Sequence, residues 1–319
     1  MSMSTKAKTS EFAEDRYPSR KPGQSASMIE RREPVVYGSG TAPWPLTGEL
    51  IEQYRQQGFL IIDQLFCEAE VARCLAEMER LRSDERIQQL DETITEPGSQ
   101  AVRSIFAVHR LSALMGKLAR DPRLLDVAQY LLDDEVYMHQ SRLNYKPGFR
   151  GKEFYWHSDF ETWHVEDGMP AMRALSASIT LTENLSTNGP LLLIPGSHRK
   201  FVACVGETPE QHFRSSLKKQ DYGVPDDESL RRLVEANGIV EFSGKPGSVC
   251  LFDCNIMHGS NSNISPFPRS NVFFVYNALG NRVGRPLSGQ DPRPEYICSR
   301  HDTARLSRTD AAVHIVEGA

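Results

Sequence analysis

Residues 154–160 read Phe154-Tyr155-Trp156-His157-Ser158-Asp159-Phe160, and 101 residues after the histidine comes Met257-His258-Gly259. If 154–160 is a strand, its side chains alternate, so His157 and Asp159 share one face. A distant histidine such as His258 completes two imidazoles and one carboxylate. That set holds non-haem Fe(II) on three positions and leaves others open for substrate and O2. By itself a His-x-Asp spacing is equally that of a core histidine bonded to a neighbouring carboxylate, so the surrounding chain has to decide.

On either side of the motif lie short apolar or alternating runs at 136–145, 174–182, 191–194, 239–242, 248–254 and 271–278. Between them stand turn segments such as Lys146-Pro147-Gly148, Asn188-Gly189-Pro190 and Lys245-Pro246-Gly247. Many short strands with this punctuation indicate an all-β sandwich or barrel. Upstream, the periodicity predicts helices over 47–58, where Thr47 can cap, over 68–82, and over 111–132, where Pro122 can start a second piece. A short buried strand is expected at 59–65. The expected organisation is a mobile polar tail at 1–35 and a single domain at 36–319. Within that domain a helical layer at about 47–132 packs on a mainly β core at about 134–280, and a polar lid-like insertion occupies about 206–237.

With 319 residues, 39% hydrophobic and 25% charged, the chain can bury a substantial core. A distributed net charge of −5 argues against a nucleic-acid partner. No run nears the roughly 18 apolar residues of a membrane span, and the N-terminus lacks a secretory apolar core. The six cysteines are too sparse for a disulfide scaffold and read as thiols of a reducing cytoplasm.

Further residues sharpen the chemistry. His258 follows the strong strand 248–254, and Arg269 lies eleven residues beyond it, at the entrance to the next strand. Together with His157, Asp159 and the Pro195-Gly196-Ser197-His198 turn, these resemble the phytanoyl-CoA dioxygenase superfamily of Fe(II)/2-oxoglutarate oxygenases. The resemblance implies a double-stranded β-helix (jelly-roll, cupin-like) core, mainly β with flanking helices. It also implies iron on His157, Asp159 and His258, with Arg269 pairing bidentately with a carboxylate of 2-oxoglutarate. Two longer blocks, 140–148 and 154–170, are similar to the ectoine hydroxylases within that superfamily, and the likeness extends over about 45–290. It implies Lys146, Asn144 and Ser178 beside Arg269 around 2-oxoglutarate, and Gln140, Thr162 and Trp163 around the substrate. The implied reaction is hydroxylation of L-ectoine to 5-hydroxyectoine, with succinate and CO2 as co-products, by a cytoplasmic homodimer. Related halogenases lack the carboxylate, so Asp159 favours hydroxylation.

Ectoine is a carboxylate joined to a charge-delocalised amidinium ring, and a site for it needs an aromatic face and placed donors. Trp163 suits that demand, whereas Phe252 and Phe274 read as core. His164 is expected at the site edge, and His198 as a brace for its loop. His139 alternates with Gln140, so only one of them is expected inward, and Gln140 is preferred. Cys250, Cys254 and His258 share strand parity, but zinc would want a closed set that is not evident here. Two other functions fit the residues: a sister oxygenase acting on another small amino or imino acid, and a jelly-roll solute- or metal-binding protein without turnover.

Overall fold

The computed structural model describes residues 15–96, 101–217 and 222–309. Its strands are β1 (Ser27–Glu30), β2 (Phe59–Ile62), β3 (Thr93–Thr95), β4 (Val102–Phe106), β5 (Val136–Lys146), β6 (Phe154–His157), β7 (Ala174–Thr180), β8 (Leu191–Leu193), β9 (Lys200–Ala203), β10 (Val240–Phe242), β11 (Val249–Asp253), β12 (His258–Ser260) and β13 (Arg269–Ala278). Seven strands pair in the order β2-β11-β7-β13-β5-β4-β3, four in the order β10-β8-β12-β6, and β1 pairs with β9.

Strand alternation assigns each face of the larger sheet a different task. One face carries Val249, Leu251, Ala177, Ile179, Val272, Phe274, Leu143 and Tyr145. It packs under the helices Gly48–Gln57, Glu68–Ser83, Ala113–Leu118 and Pro122–Leu132 in the largest apolar cluster. Two of these helices start on caps legible in the sequence. Thr47 Oγ1 accepts from Leu50 N at 3.2 Å, and Asp121 caps the helix that Pro122 opens.

The opposite face meets the smaller sheet. Phe59, Cys250, Phe252 and Phe273 pack there against Leu191, Leu193 and Phe242. The architecture is a jelly-roll sandwich, and its strand orders do not close into a barrel. Toward β7, β13 and β5 this interior turns polar, with Ser176, Ser178, Asn271, Arg142, Asn144 and Lys146 buried or nearly so. Polar groups placed inside a sandwich need partners or a ligand, so the functional site lies at this end.

Three stretches of the chain run differently from the sequence expectations. Residues 15–35, expected within a mobile tail, are docked. β1 pairs with β9 in register, Tyr17 is fully buried, and Arg31 Nη1 donates to Asp253 Oδ2 at 2.7 Å. Polar composition hid this because the partners lie far along the chain; residues 1–14 fall outside the described residues. The strand expected over 154–160 stops at His157, and Ser158 caps a helical turn, Asp159–Thr162, that runs on as a π-helical turn, Trp163–Asp167. His258 is not carried by the strand before it; the chain turns after β11, and His258 opens β12 in the other sheet. The insertion, readable as a lid or a flank, is in part a flank: helix Asp227–Asn237 buries Leu230 and Leu233 against Ile194, Val202 and Met257.

The six cysteines are free, and all but Cys67 are buried. No helix among the described residues is long and apolar enough to cross a membrane.

Candidate active site

His157 ends β6 and His258 begins β12, and the two are direct partners in the antiparallel pairing. Their ring centroids are 4.2 Å apart. Asp159 reaches them from the helical turn, with Oδ1 3.7 Å from His157 Nε2 and 3.9 Å from His258 Nε2. Phe160 N donates to Cys254 O at 2.7 Å, which pins the turn, and Ser176 Oγ donates to Asp159 Oδ2 at 3.4 Å. One potential ligand atom from each of the three buried residues lies within 4.8 Å of the others.

The hydrogen bonds set the tautomers. His157 Nδ1 lies 2.8 Å from Tyr155 O, and His258 Nδ1 lies 3.0 Å from Ile256 O. Carbonyls only accept, so each Nδ1 carries the proton and each Nε2 presents a lone pair toward Asp159. Burial, with the neighbouring His258, pushes His157 well below the ordinary histidine range and keeps it neutral. Two imidazoles and a carboxylate on one side of a shared point fit Fe(II).

A second trio, His139, Asp167 and Cys298, also brings possible ligand atoms within 4.8 Å. There Arg293 donates to both Asp167 oxygens, at 2.9 and 2.5 Å, and burial pushes the Cys298 thiol up. A cation would have to displace an arginine and deprotonate a resistant thiol, so this set is structural.

Two lobes meet at the His157 cluster. The first is cationic, lined by Arg103, Arg142, Lys146 and Arg269 with Asn144, Ser104 and Ser260, and walled by Phe106, Phe154, Leu191 and Phe273. Glu96 is the one acid among these lining residues, and it is paired with Arg103 at 2.9 Å. Lys146 Nζ lies within hydrogen-bonding distance of Ser260 Oγ at 2.9 Å, Asn261 O at 2.6 Å and Gly189 O at 3.3 Å; Arg269 donates to the same Gly189 carbonyl. Gly189 adopts a positive φ of 71°, and a Cβ there would lie 2.3 Å from Asn261 O. Only glycine lets that carbonyl sit between the lysine and the arginine.

Burial, and then the Arg269 charge, lowers Lys146 to about 6. Burial, followed by Arg103 and Arg142, lowers Arg269 to about 10. Arg269 Nε and Arg142 Nε have no partner among the described residues. Enclosed positive charge of this kind is stabilised by a bound anion.

The second lobe also touches His157 and is lined by Asp159, Gln140, Arg142, Thr162, Trp163, Glu166 and Arg293. Gln140 Nε2 donates to Ile297 O at 2.7 Å, and Gln140 Oε1 accepts from Arg142 Nη1 at 3.2 Å. Thr162 Oγ1 is buried without a partner among the described residues. Trp163 is buried and stands edge-on to His139 at 4.9 Å.

Of the residues singled out in the sequence, His157, Asp159 and His258 form the cluster. Lys146, Asn144 and Arg269 line the first lobe, and Gln140, Thr162 and Trp163 the second. Ser178 lines neither; it stands opposite Phe273 in register, and its Oγ accepts from Asn271 Nδ2 at 3.1 Å. His164, expected at the site edge, bonds Met169 O and Asp15 and stacks on Phe160, so it serves the N-terminal segment instead. His198 braces its loop, with Nε2 3.3 Å from Arg55 O. His139 and Gln140 both face inward, because the pairing slips between Val275↔Gln140 and Tyr276↔Met138, leaving His139 as the extra residue of a β-bulge. Simple alternation could not foresee that slip.

The alternation Gln140, Arg142, Asn144, Lys146 could have flagged Arg142, which sequence reasoning missed. Arg103, Phe273 and Arg293 carried no comparable local signal.

A jelly-roll core that holds two histidines and a carboxylate beside a polycationic lobe defines an Fe(II)- and 2-oxoglutarate-dependent dioxygenase. Residues 54–271 match the family Phytanoyl-CoA dioxygenase (PhyH), and the chain belongs to it. An ectoine dioxygenase of Bordetella bronchiseptica is 59% identical over 288 residues, covering 90% of this chain and 93% of that protein. The crystal structure of EctD from S. alaskensis with 2-oxoglutarate and 5-hydroxyectoine is 48% identical with a TM-score of 0.84, covering 92% of this chain and 98% of that one. The same protein with bound Fe superposes with a TM-score of 0.83 at the same identity and coverage.

Proposed function

We propose that the protein hydroxylates L-ectoine to 5-hydroxyectoine, consuming O2 and 2-oxoglutarate and releasing succinate and CO2. The observation that carries this reading is the meeting of two lobes at one metal-ligand cluster, one built for a dianion and the other for a small zwitterion. Identities of 47–59% to ectoine dioxygenases over most of the chain support it.

In this reading His157, Asp159 and His258 hold Fe(II). Arg269 offers its planar fork to the distal carboxylate of 2-oxoglutarate, with Lys146 and Asn144 beside it and Ser178 bracing from behind Asn271. Bound iron supplies the oxidation that places one atom of O2 on a ring carbon as the 2-oxo acid is decarboxylated. The chain's own work is orientation: Trp163 offers a π face to the amidinium, Arg142 and Arg293 attract the carboxylate, and Gln140 and Thr162 supply hydrogen bonds. The reading includes a cytoplasmic homodimer, tested by sedimentation and cell fractionation.

The deciding experiment incubates the purified protein with Fe(II), ascorbate, 2-oxoglutarate and ectoine. Mass spectrometry should find ectoine gaining one oxygen, with matching succinate. Succinate release that ectoine does not stimulate would remove the substrate assignment and point to a sister oxygenase; no succinate under any condition would point to a binding protein.

A further inference from the structure

The N-terminal segment sends a fully enclosed arginine to the back of the metal-bearing turn. Arg20 is 5% exposed, and the two carboxylates it meets, Glu161 and Glu166, are 1% and 3% exposed. Arg20 Nε and Nη2 donate to the two oxygens of Glu161 at 2.9 and 2.8 Å, and Nη1 donates to Glu166 Oε1 at 2.7 Å. Its backbone is anchored separately, with Arg20 N donating to Cys204 O at 2.9 Å and Ser19 Oγ accepting from Cys204 N at 2.8 Å. Arg20 itself holds a left-handed φ of 53°, a conformation that a non-glycine residue keeps only where the surroundings enforce it.

The placement of the two acids gives this clasp its meaning. Glu161 directly precedes Thr162 and Trp163, and Glu166 lies in the turn that follows. Burial would raise Glu166, but Arg293, His212 and Arg20 together hold it down at about 2. Glu166 thereby joins the N-terminal segment to Arg293, which stands 3.4 Å away in the substrate lobe. The insertion rests on the same point. Gly223 packs so closely that a Cβ there would lie 2.5 Å from Glu161 Oε2 and 3.3 Å from both Arg20 Nη2 and Thr162 Oγ1.

The metal end of the turn has its own supports. Ser176 holds Asp159, Cys254 O holds Phe160 N, and the β6–β12 pairing holds the histidines. We propose that Arg20 is a positioning residue for the substrate lobe: through Glu161 and Glu166 it sets Thr162, Trp163 and Arg293, and with them the affinity for ectoine. The iron cluster and the 2-oxoglutarate lobe do not depend on it. This inference rests on the ectoine reading above.

The test compares the parent protein with Arg20→Lys, which keeps the charge but loses the fork, and with Arg20→Gln/Glu161→Gln, which removes both charges of the pair. Folding is checked by circular dichroism. The expected result is a KM for ectoine raised about tenfold or more in the double variant and by an intermediate factor in Arg20→Lys. Fewer hydroxyectoine molecules should form per succinate. Anaerobic titration of the visible charge-transfer band of the Fe(II)–2-oxoglutarate chelate should give an unchanged dissociation constant.

A folded variant with the parent's KM and coupling overturns the proposal. So does an equal weakening of 2-oxoglutarate binding, which would mark a general structural role. If the double variant does not fold, Arg20→Lys alone decides. A parent protein inactive on ectoine would instead overturn the functional reading.

Discussion

Lys146 makes a quantitative test of the cationic lobe. In the free protein, burial and the Arg269 charge lower Lys146 to about 6 from an ordinary value near 10.5. At pH 7 the neutral amine is then the favoured form. A dicarboxylate bound to Arg269 offsets the repulsion from that arginine and gives the ammonium an anionic neighbour, so its pKa rises well above 7. Binding 2-oxoglutarate at pH 7 should therefore take up most of one proton, and at pH 5 much less.

The sign follows from the depressed pKa. Free protein lacks this proton above pH 6 and the complex carries it, so affinity strengthens as pH falls from 8 to 6 and levels off below. Each unit in that window is worth ~1.4 kcal/mol, or about tenfold in dissociation constant. His157 does not interfere, because burial and His258 push it well below this window. Anaerobic calorimetry in buffers of different ionisation enthalpy measures the uptake directly. Uptake below about 0.2 proton at pH 7, or the same uptake in Lys146→Met, would refute the reasoning.

Three further outcomes are expected. Asp159→Ala and His258→Ala each remove one of three metal ligands, so iron retained after gel filtration should fall below about a tenth of the parent level by elemental analysis; stoichiometric iron in either would contradict the cluster. Trp163→Ala should raise the KM for ectoine by about 2- to 30-fold, the ~0.5–2 kcal/mol of a cation–π contact, while Trp163→Phe changes it much less in steady-state assays. Asp253→Asn strands Arg31 in a pair whose side chains are only 3% and 2% exposed. Urea unfolding should show a loss of about 3–5 kcal/mol, and a loss under 1 kcal/mol would mean that water or another group takes over the arginine.

The larger sheet was legible because alternation and turn residues are local signals. The runs at 174–182, 248–254 and 271–278 correspond to β7, β11 and β13. Thr47 and Pro122 announced their helices for the same reason. The run at 154–160 misled, since Ser158, a good cap, diverts the chain into a helical turn after His157. Polar composition reads residues 1–35 as a mobile tail because nothing near Arg20 or Arg31 in sequence signals the buried carboxylates Glu161, Glu166 and Asp253 that they meet.

The sequence alone determined which residue types the proposed chemistry can draw on: His157, Asp159 and His258 are types that suit Fe(II), and Arg269 a type that suits a carboxylate. Tertiary structure decided how they meet. Only the β6–β12 pairing sets the two histidines face to face, and only their carbonyl partners turn each Nε2 inward. The bulge at His139, the gathering of Arg103, Arg142, Lys146 and Arg269, and the Arg20 clasp likewise depend on strands and segments distant in the chain. The type of a side chain is a local property, whereas its charge state and aim are set by neighbours that folding brings from elsewhere.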